Sequence, residues 1–210
     1  MITLSHDGSS KIEIRQSEFI GHCMRVNSAD EACAAVKRER TLYPDARHCC
    51  HAWIIDGQIR MSKSSDDGEP SGTAGMPLLS LLEVNNISNA VVCVTRYFGG
   101  ILLGKGGLVR AYTEAGRLAL GDAQPFRSVP GACYEVKVDY SEFDRITRQI
   151  REKGWTVESS VFDSGVAINV LVPDSDCQVF KDFCRDATSG RAIVGKLGIR
   201  EIEGEKLNLF

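Results

Sequence analysis

The run Ala90–Tyr97, Ala-Val-Val-Cys-Val-Thr-Arg-Tyr, constrains the fold of this chain more than any other stretch. It is strand-length, rich in β-branched residues and free of helix breakers. Its apolar character is continuous rather than alternating, as a strand requires when it is central or when its sheet is covered on both faces. A fold built on it must supply neighbours at its edges and apolar layers above and below. Arg96 and Tyr97 close the run and lead into Phe98-Gly99-Gly100.

A glycine-rich stretch lies on either side. The first is Ser65-Asp66-Asp67-Gly68-Glu69-Pro70-Ser71-Gly72-Thr73-Ala74-Gly75, followed by Leu78, Leu79, Leu81 and Leu82. The second runs from Gly99 through Gly104-Lys105-Gly106-Gly107, and after it Leu108, Ala111, Tyr112, Ala115, Leu118 and Ala119 recur at helical spacing. Both therefore read as turns entering helices, the second helix over about 108–120. Free N–H groups and the helix dipole make such ends attractive to anions. The expected binding residues are Asp66, Asp67, Glu69, Ser71, Gly72 and Thr73 in the first stretch, with Arg96, Tyr97, Gly99, Gly100, Lys105, Gly106, Gly107 and Arg110 around the second. Arg96, Lys105 and Arg110 would hold phosphates, and Tyr97 and Phe98 offer rings for base stacking, although buried packing is the commoner use of such residues.

Three carboxylates complicate this anion site. Either Asp66, Asp67 and Glu69 cap a helix and pair with Arg96 or Arg110, or two of them hold a hard cation such as Mg²⁺. Capping and pairing is favoured, because adjacent acids are common on solvated loops. No Gly-Lys-Ser/Thr ends the stretch and no GxGxxG opens it, so it is neither a P-loop nor a dinucleotide fingerprint. No catalytic residue is assigned, and no metal or cofactor is expected. His48 is the one additional acid-base group near these loops, with a structural role the commoner reading.

With 210 residues, the chain is long enough for one large domain or two small ones. No run approaches the roughly eighteen apolar residues that cross a bilayer, and the first residues lack the parts of a signal peptide, so no membrane contact and a cytoplasmic location are expected. Eight cysteines without a Cys-x-x-Cys pair, several of them inside apolar runs, read as reduced buried thiols. His48-Cys49-Cys50-His51 resembles a metal motif, but on a strand its members alternate between faces and cannot converge on one ion. Residues 1–127 carry 14 basic and 14 acidic side chains and 128–210 carry 11 and 14, so neither half has the positive excess of a general nucleic-acid binder.

In chain order, strands are expected around 11–14 and 19–26, joined at Gln16-Ser17-Glu18. A helix starts at Ser28 with Glu31 at capping-box spacing and stops before Pro44. Strands 48–55 and 58–63 flank Asp56-Gly57, a hairpin signal. After the second helix, 121–131 reads as a linker dividing domains 1–127 and 128–210. The remainder reads strand 134–138, helix around Phe143, Ile146 and Ile150, strand 155–162, strand 166–172, helix around Phe180 and Cys184 with an Asp174 or Ser175 cap, and strand 192–199. That order, βαββαβ, is ferredoxin-like.

Residues 65–75, Thr95-Arg96-Tyr97-Phe98-Gly99-Gly100, residues 103–112 and Pro44-Asp45-Ala46-Arg47-His48 with Cys50 together resemble the IMPACT/YigZ family signature. The resemblance covers essentially the whole chain. It implies an α+β protein with a left-handed βαβ first domain, like the second domain of a ribosomal protein, GHMP kinases and domain four of elongation factor G. The second domain would resemble domain five of that factor. Eukaryotic IMPACT relatives regulate translation by binding a co-activator of a stress kinase, so the resemblance implies a translation-linked regulatory or binding protein. Its candidate partners are RNA, the ribosome or a translation-related protein, with a phosphate-bearing ligand at the paired glycine loops. The alternative is a Mg²⁺-dependent enzyme acting on a nucleotide or phosphorylated small molecule.

Overall fold

Strands β1 (Ile2–Leu4), β2 (Gly8–Ile14) and β3 (Ser17–Arg25) open the chain and are followed by helix α1 (Ala29–Leu42). The computed structural model describes all 210 residues. β2 turns into β3 at Arg15 and Gln16, whose φ angles are 47° and 65°, so Ser17 and Glu18 belong to the strand rather than to the turn. At the start of α1 the Ser28 hydroxyl accepts the Glu31 N–H at 3.1 Å, and Glu31 in turn accepts the Asn27 N–H at 2.8 Å. This reciprocal cap is typically worth about 1 kcal/mol.

Next come β4 (His48–Ile55), β5 (Met61–Ser65), α2 (Gly75–Val84), β6 (Ala90–Tyr97) and α3 (Gly104–Asp122). The sheet order is β2-β3-β6-β4-β5, every neighbouring pair antiparallel, with β6 in the middle. Since β3 and β4 both oppose β6, they run parallel to each other, and α1 is the crossover between them. One face of the sheet, with Met24, Cys49, Trp53, Val91 and Cys93, packs under Ala32 and Ala35 of α1. The other, with Phe19, Cys50, Ile54, Val92 and Val94, packs under Leu78, Leu82 and Tyr112 of α2 and α3. The valines of β6 thus alternate between two cores, which is why the run is apolar throughout. Cys49 and Cys50 fall on opposite faces in the same way, and all eight cysteines are free thiols.

Two local expectations are corrected here. The β4–β5 connection spans residues 56–60, because pairing stops at Ile55↔Met61. Asp56 is drawn away from a tight turn by donating its N–H to Asn89 Oδ1 at 2.8 Å. Helix α3 starts about one turn before residue 108. Glycine costs about 1 kcal/mol per helical position, so Gly104, Gly106 and Gly107 disguise the first turn as loop.

The remaining elements are β7 (Pro125–Val138), α4 (Tyr140–Glu152), β8 (Thr156–Phe162), β9 (Val166–Pro173), α5 (Cys177–Ala187) and β10 (Ile193–Lys206), of which the second unit takes the part from Ser128 to Gly204. Residues 125–131 are strand rather than linker. Pro125 begins β7, where its missing N–H is tolerated, and Pro125–Arg127 pair with β1. Within this unit the order β10-β7-β9-β8 places the fourth, first, third and second strands side by side, as in a ferredoxin-like sheet. Tyr134, Val136, Ile168 and Val170 of the sheet pack with Ile146 and Ile150 of α4 and Phe180 and Cys184 of α5. A 3₁₀ turn over Asp174–Asp176 moves the α5 N-cap to Asp176, whose carboxylate accepts the Trp155 indole N–H at 3.1 Å. The compact units are Met1–Arg127 with Glu205–Phe210, and Ser128–Gly204. Leu209 and Phe210 pack on the core of the first. No helix is long and apolar enough to cross a membrane.

Candidate binding surface

The first glycine-rich loop leaves β5 and is folded around its own carboxylates. Asp66 Oδ1 accepts the N–H groups of Ala74 and Gly75 at 2.9 and 2.8 Å, and Oδ2 accepts that of Gly72 at 2.8 Å. The N-terminus of α2, an anion site by its dipole, therefore already holds an anion. Burial pushes the Asp66 carboxyl up, but backbone donors from Gly72, Ala74, Gly75 and Thr73 outweigh it and hold it below its ordinary value. Only glycine fits at position 75, where a Cβ would lie 2.6 Å from the Ser65 nitrogen. Thr73 is buried and donates to the Pro70 carbonyl at 2.6 Å, while Ser71 and Gly72 are exposed.

Asp67 ties this loop to α1 and β4. Its carboxylate pairs with Arg40 and accepts the Cys49 N–H at 2.6 Å. Its carbonyl accepts the His48 Nδ1–H at 2.8 Å, which fixes that imidazole as a structural donor.

Glu69 reaches inward. One of its oxygens accepts from Arg96 Nη1 at 2.7 Å and from the Tyr112 hydroxyl at 2.8 Å, with Glu69 and Arg96 only 8% and 5% exposed. Burial, reinforced by Cys50 and Glu69, drives the Tyr112 phenol far upward and keeps it protonated as the donor. The Arg96 guanidinium lies 5.4 Å from the Phe19 ring centre and 5.3 Å from that of Phe98. Its Nη2 donates to Ser17 Oγ at 3.3 Å, and the same hydroxyl accepts the Gly99 N–H at 3.1 Å. Arg96 is thus an internal connector of the two loops, not a surface cation for phosphate. Ser17, Arg40 and Tyr112 complete this network and were not readable as site residues. Tyr112 carried the one usable signal, since a tyrosine on a buried helical stripe needs a partner for its hydroxyl.

The second loop is built oppositely. Gly99 is pressed against the β2–β3 turn, where a Cβ would come 2.0 Å from the Gln16 carbonyl, and from there the chain swings outward. Phe98, Ile101 and Leu102 are exposed by 47, 42 and 81%. Tyr97 is half-buried and meets Tyr43 edge-on at 6.5 Å. Helix α3 has Leu103 at its N-cap and no capping side chain. Lys105 is the one side chain in the Gly-Lys-Gly-Gly opening, so the helix end is stripped of cover. Gly100, Lys105, Gly106 and Arg110 are exposed, and neither cation has a carboxylate partner. No three metal-binding side chains come together anywhere in the chain.

Residues 15–120 match the Impact N-terminal domain, and residues 136–191 match a domain of unknown function, DUF1949. The chain belongs to the IMPACT family. Among IMPACT family members, YigZ of Escherichia coli is 33% identical over 85% of this chain and 88% of its own length. A crystal structure titled only as a hypothetical protein is 30% identical, with TM-score 0.57 over 94% of this chain and 97% of the other. Protein IMPACT of Rattus norvegicus is 37% identical across 43% of this chain but 29% of its own length, so that likeness is confined to part of each protein. The match to the Impact N-terminal domain begins at Arg15 and ends at Leu120, enclosing both glycine loops and the Glu69–Arg96–Tyr112 cluster.

Proposed function

We propose that this IMPACT family chain is a regulatory binding protein of translation, not a catalyst, and that it engages the ribosome through the second glycine loop and the first turn of α3. The family resemblance supplies the link to translation. The observation that carries the choice of surface is the unequal use of charge in the two loops. Asp66, Asp67, Glu69 and Arg96 spend their charges on one another, on backbone N–H groups, on Arg40 and on Tyr112. The Gly99–Gly107 side offers bare helix N–H groups, Lys105 and Arg110 for RNA phosphate, with Phe98, Ile101 and Leu102 for a base or an apolar contact. The Mg²⁺-dependent reading has less support, since it needs carboxylate oxygens that are not already receiving donors.

Co-sedimentation of the full chain with purified ribosomes across a salt series tests this. Lys105→Ala with Arg110→Ala is expected to weaken association and flatten its salt dependence by about 0.7–0.9 in logarithmic slope for each phosphate no longer neutralised. Leu102→Asp is expected to weaken association at every salt concentration. Unchanged binding in both variants rejects this surface.

A further inference from the structure

Helix α1 is held to its sheet by little apolar surface. The buried residues it presents are Ala32, Ala35 and Glu39, with Ala29 and Val36 partly buried beside them. Two alanines bury few methylenes, so the carboxylate that shares their stripe bears directly on the docking of the helix. Glu39 is 7% exposed, and its Oε2 lies 2.6 Å from His22 Nδ1 on β3. The neighbouring Arg40 pairs with Asp67 of the first glycine loop. Tyr43, the C-cap residue, stacks on the His22 ring with centres 5.9 Å apart and meets Tyr97, which leads into Phe98 and Gly99. One helix end thus links His22 to the approaches of both loops.

The surroundings of His22 favour its charged form. The hydrogen bond from Glu39 raises the imidazole above its ordinary value, burial opposes that rise, and Asp7 ahead of β2 and Cys49 on β4 act with Glu39. On β6, Cys93 stands opposite both His22 and His51. The Cys49 thiol and burial push Cys93 well up, and burial holds the His51 imidazole below its ordinary value, so neither brings a charge at neutral pH. The cations nearby are directed elsewhere: Arg38 of α1 to the Met24 sulfur at 3.7 Å, and Lys11 of β2 to Glu18 at 2.7 Å.

We propose that protonated His22 latches the last turn of α1 onto the sheet and, through Tyr43 and Tyr97, steadies the entry to the second glycine loop, whatever that loop binds. Deprotonation leaves an N–H that can still donate to Glu39, but it removes the charge that makes the bond about twice as strong. Because the folded imidazole is raised, the latch is complete below the ordinary histidine value near 6.5 and is lost as pH rises through the higher folded value. The helix end therefore loosens on the alkaline side of neutrality.

The test follows the full chain by NMR between about pH 6 and 8.5, reading the His22 imidazole, the Tyr43 and Tyr97 rings and amide exchange corrected for its intrinsic pH dependence. Expected are a His22 midpoint above 6.5, ring shifts that share that midpoint, and an exchange rate at the amides of 40–43 that rises about tenfold across it, with the second unit unchanged. His22→Gln keeps a donor without a titrating charge and is expected to abolish the pH dependence at these amides. Glu39→Gln keeps an acceptor and is expected to return the His22 midpoint towards 6.5. A wild-type midpoint at or below 6.5 overturns the proposal, as does exchange at 40–43 that does not follow it. A pH dependence that survives in His22→Gln assigns the effect to another group and overturns it equally.

Discussion

The two glycine-rich stretches look alike as sequence, each a flexible turn feeding a helix, yet they fold to opposite ends. The first closes on itself: its helix start is filled by Asp66, and its Glu69 is sunk beside Arg96 and Tyr112. The second stays open, with an uncapped helix start and exposed Phe98, Ile101 and Leu102. The difference teaches that an acidic side chain supplied within the loop converts an anion site into a structural joint, and that its absence leaves the neighbouring site available. Charge written in a sequence is not charge presented at a surface.

That contrast breaks most readily at Arg96. Arg96→Ala leaves Glu69 buried without its ionic partner and is expected to cost about 3–5 kcal/mol in the first unit, measured by hydrogen exchange at the β6 amides. Wild-type protection in this variant would mean that the joint is decorative. Asp66→Asn comes next, at about 1–2 kcal/mol, since the side chain retains an acceptor but loses its charge at the helix end. The sign with pH follows from the depressed carboxyl. Its contribution is present above the ordinary carboxylate value near 4 and is lost as pH falls through the lower folded value. An acid titration of stability should therefore be shallower in Asp66→Asn than in the parent. Smallest is Leu102→Ser, expected within about 0.5 kcal/mol of the parent because the side chain is already in water. A large loss in thermal or urea unfolding there would show that the open loop is also structural.

Much of the architecture was legible because it rests on local signals. The apolar run Ala90–Tyr97 announced a central strand, Ser28 with Glu31 announced a helix start, and the βαββαβ order of the second unit followed from periodicity. The misreadings share one cause, which is tertiary bonding that overrides local composition. Asp56 leaves the expected tight turn for Asn89, Pro125 is drawn into pairing with Leu4, and the glycines of 104–107 are helical despite their propensity. Asp66 was legible as a capping candidate, but its target was not, because it reaches eight and nine residues ahead instead of the usual two or three. Pairing of an acidic-loop carboxylate with Arg96 was among the expectations, but the burial of that pair and the convergence of Ser17 on the same guanidinium were not legible, because Ser17 comes from a distant part of the chain.

The return of Glu205–Phe210 to the first unit has a consequence for biosynthesis. An emerging polypeptide makes the whole Ser128–Gly204 body before it delivers the segment in which Leu207 donates its N–H to Pro125 and Phe210 lies beside Gly121. The first unit is therefore completed only after the second has been synthesised, and nascent chains stalled before residue 205 should carry it with an uncovered apolar seam.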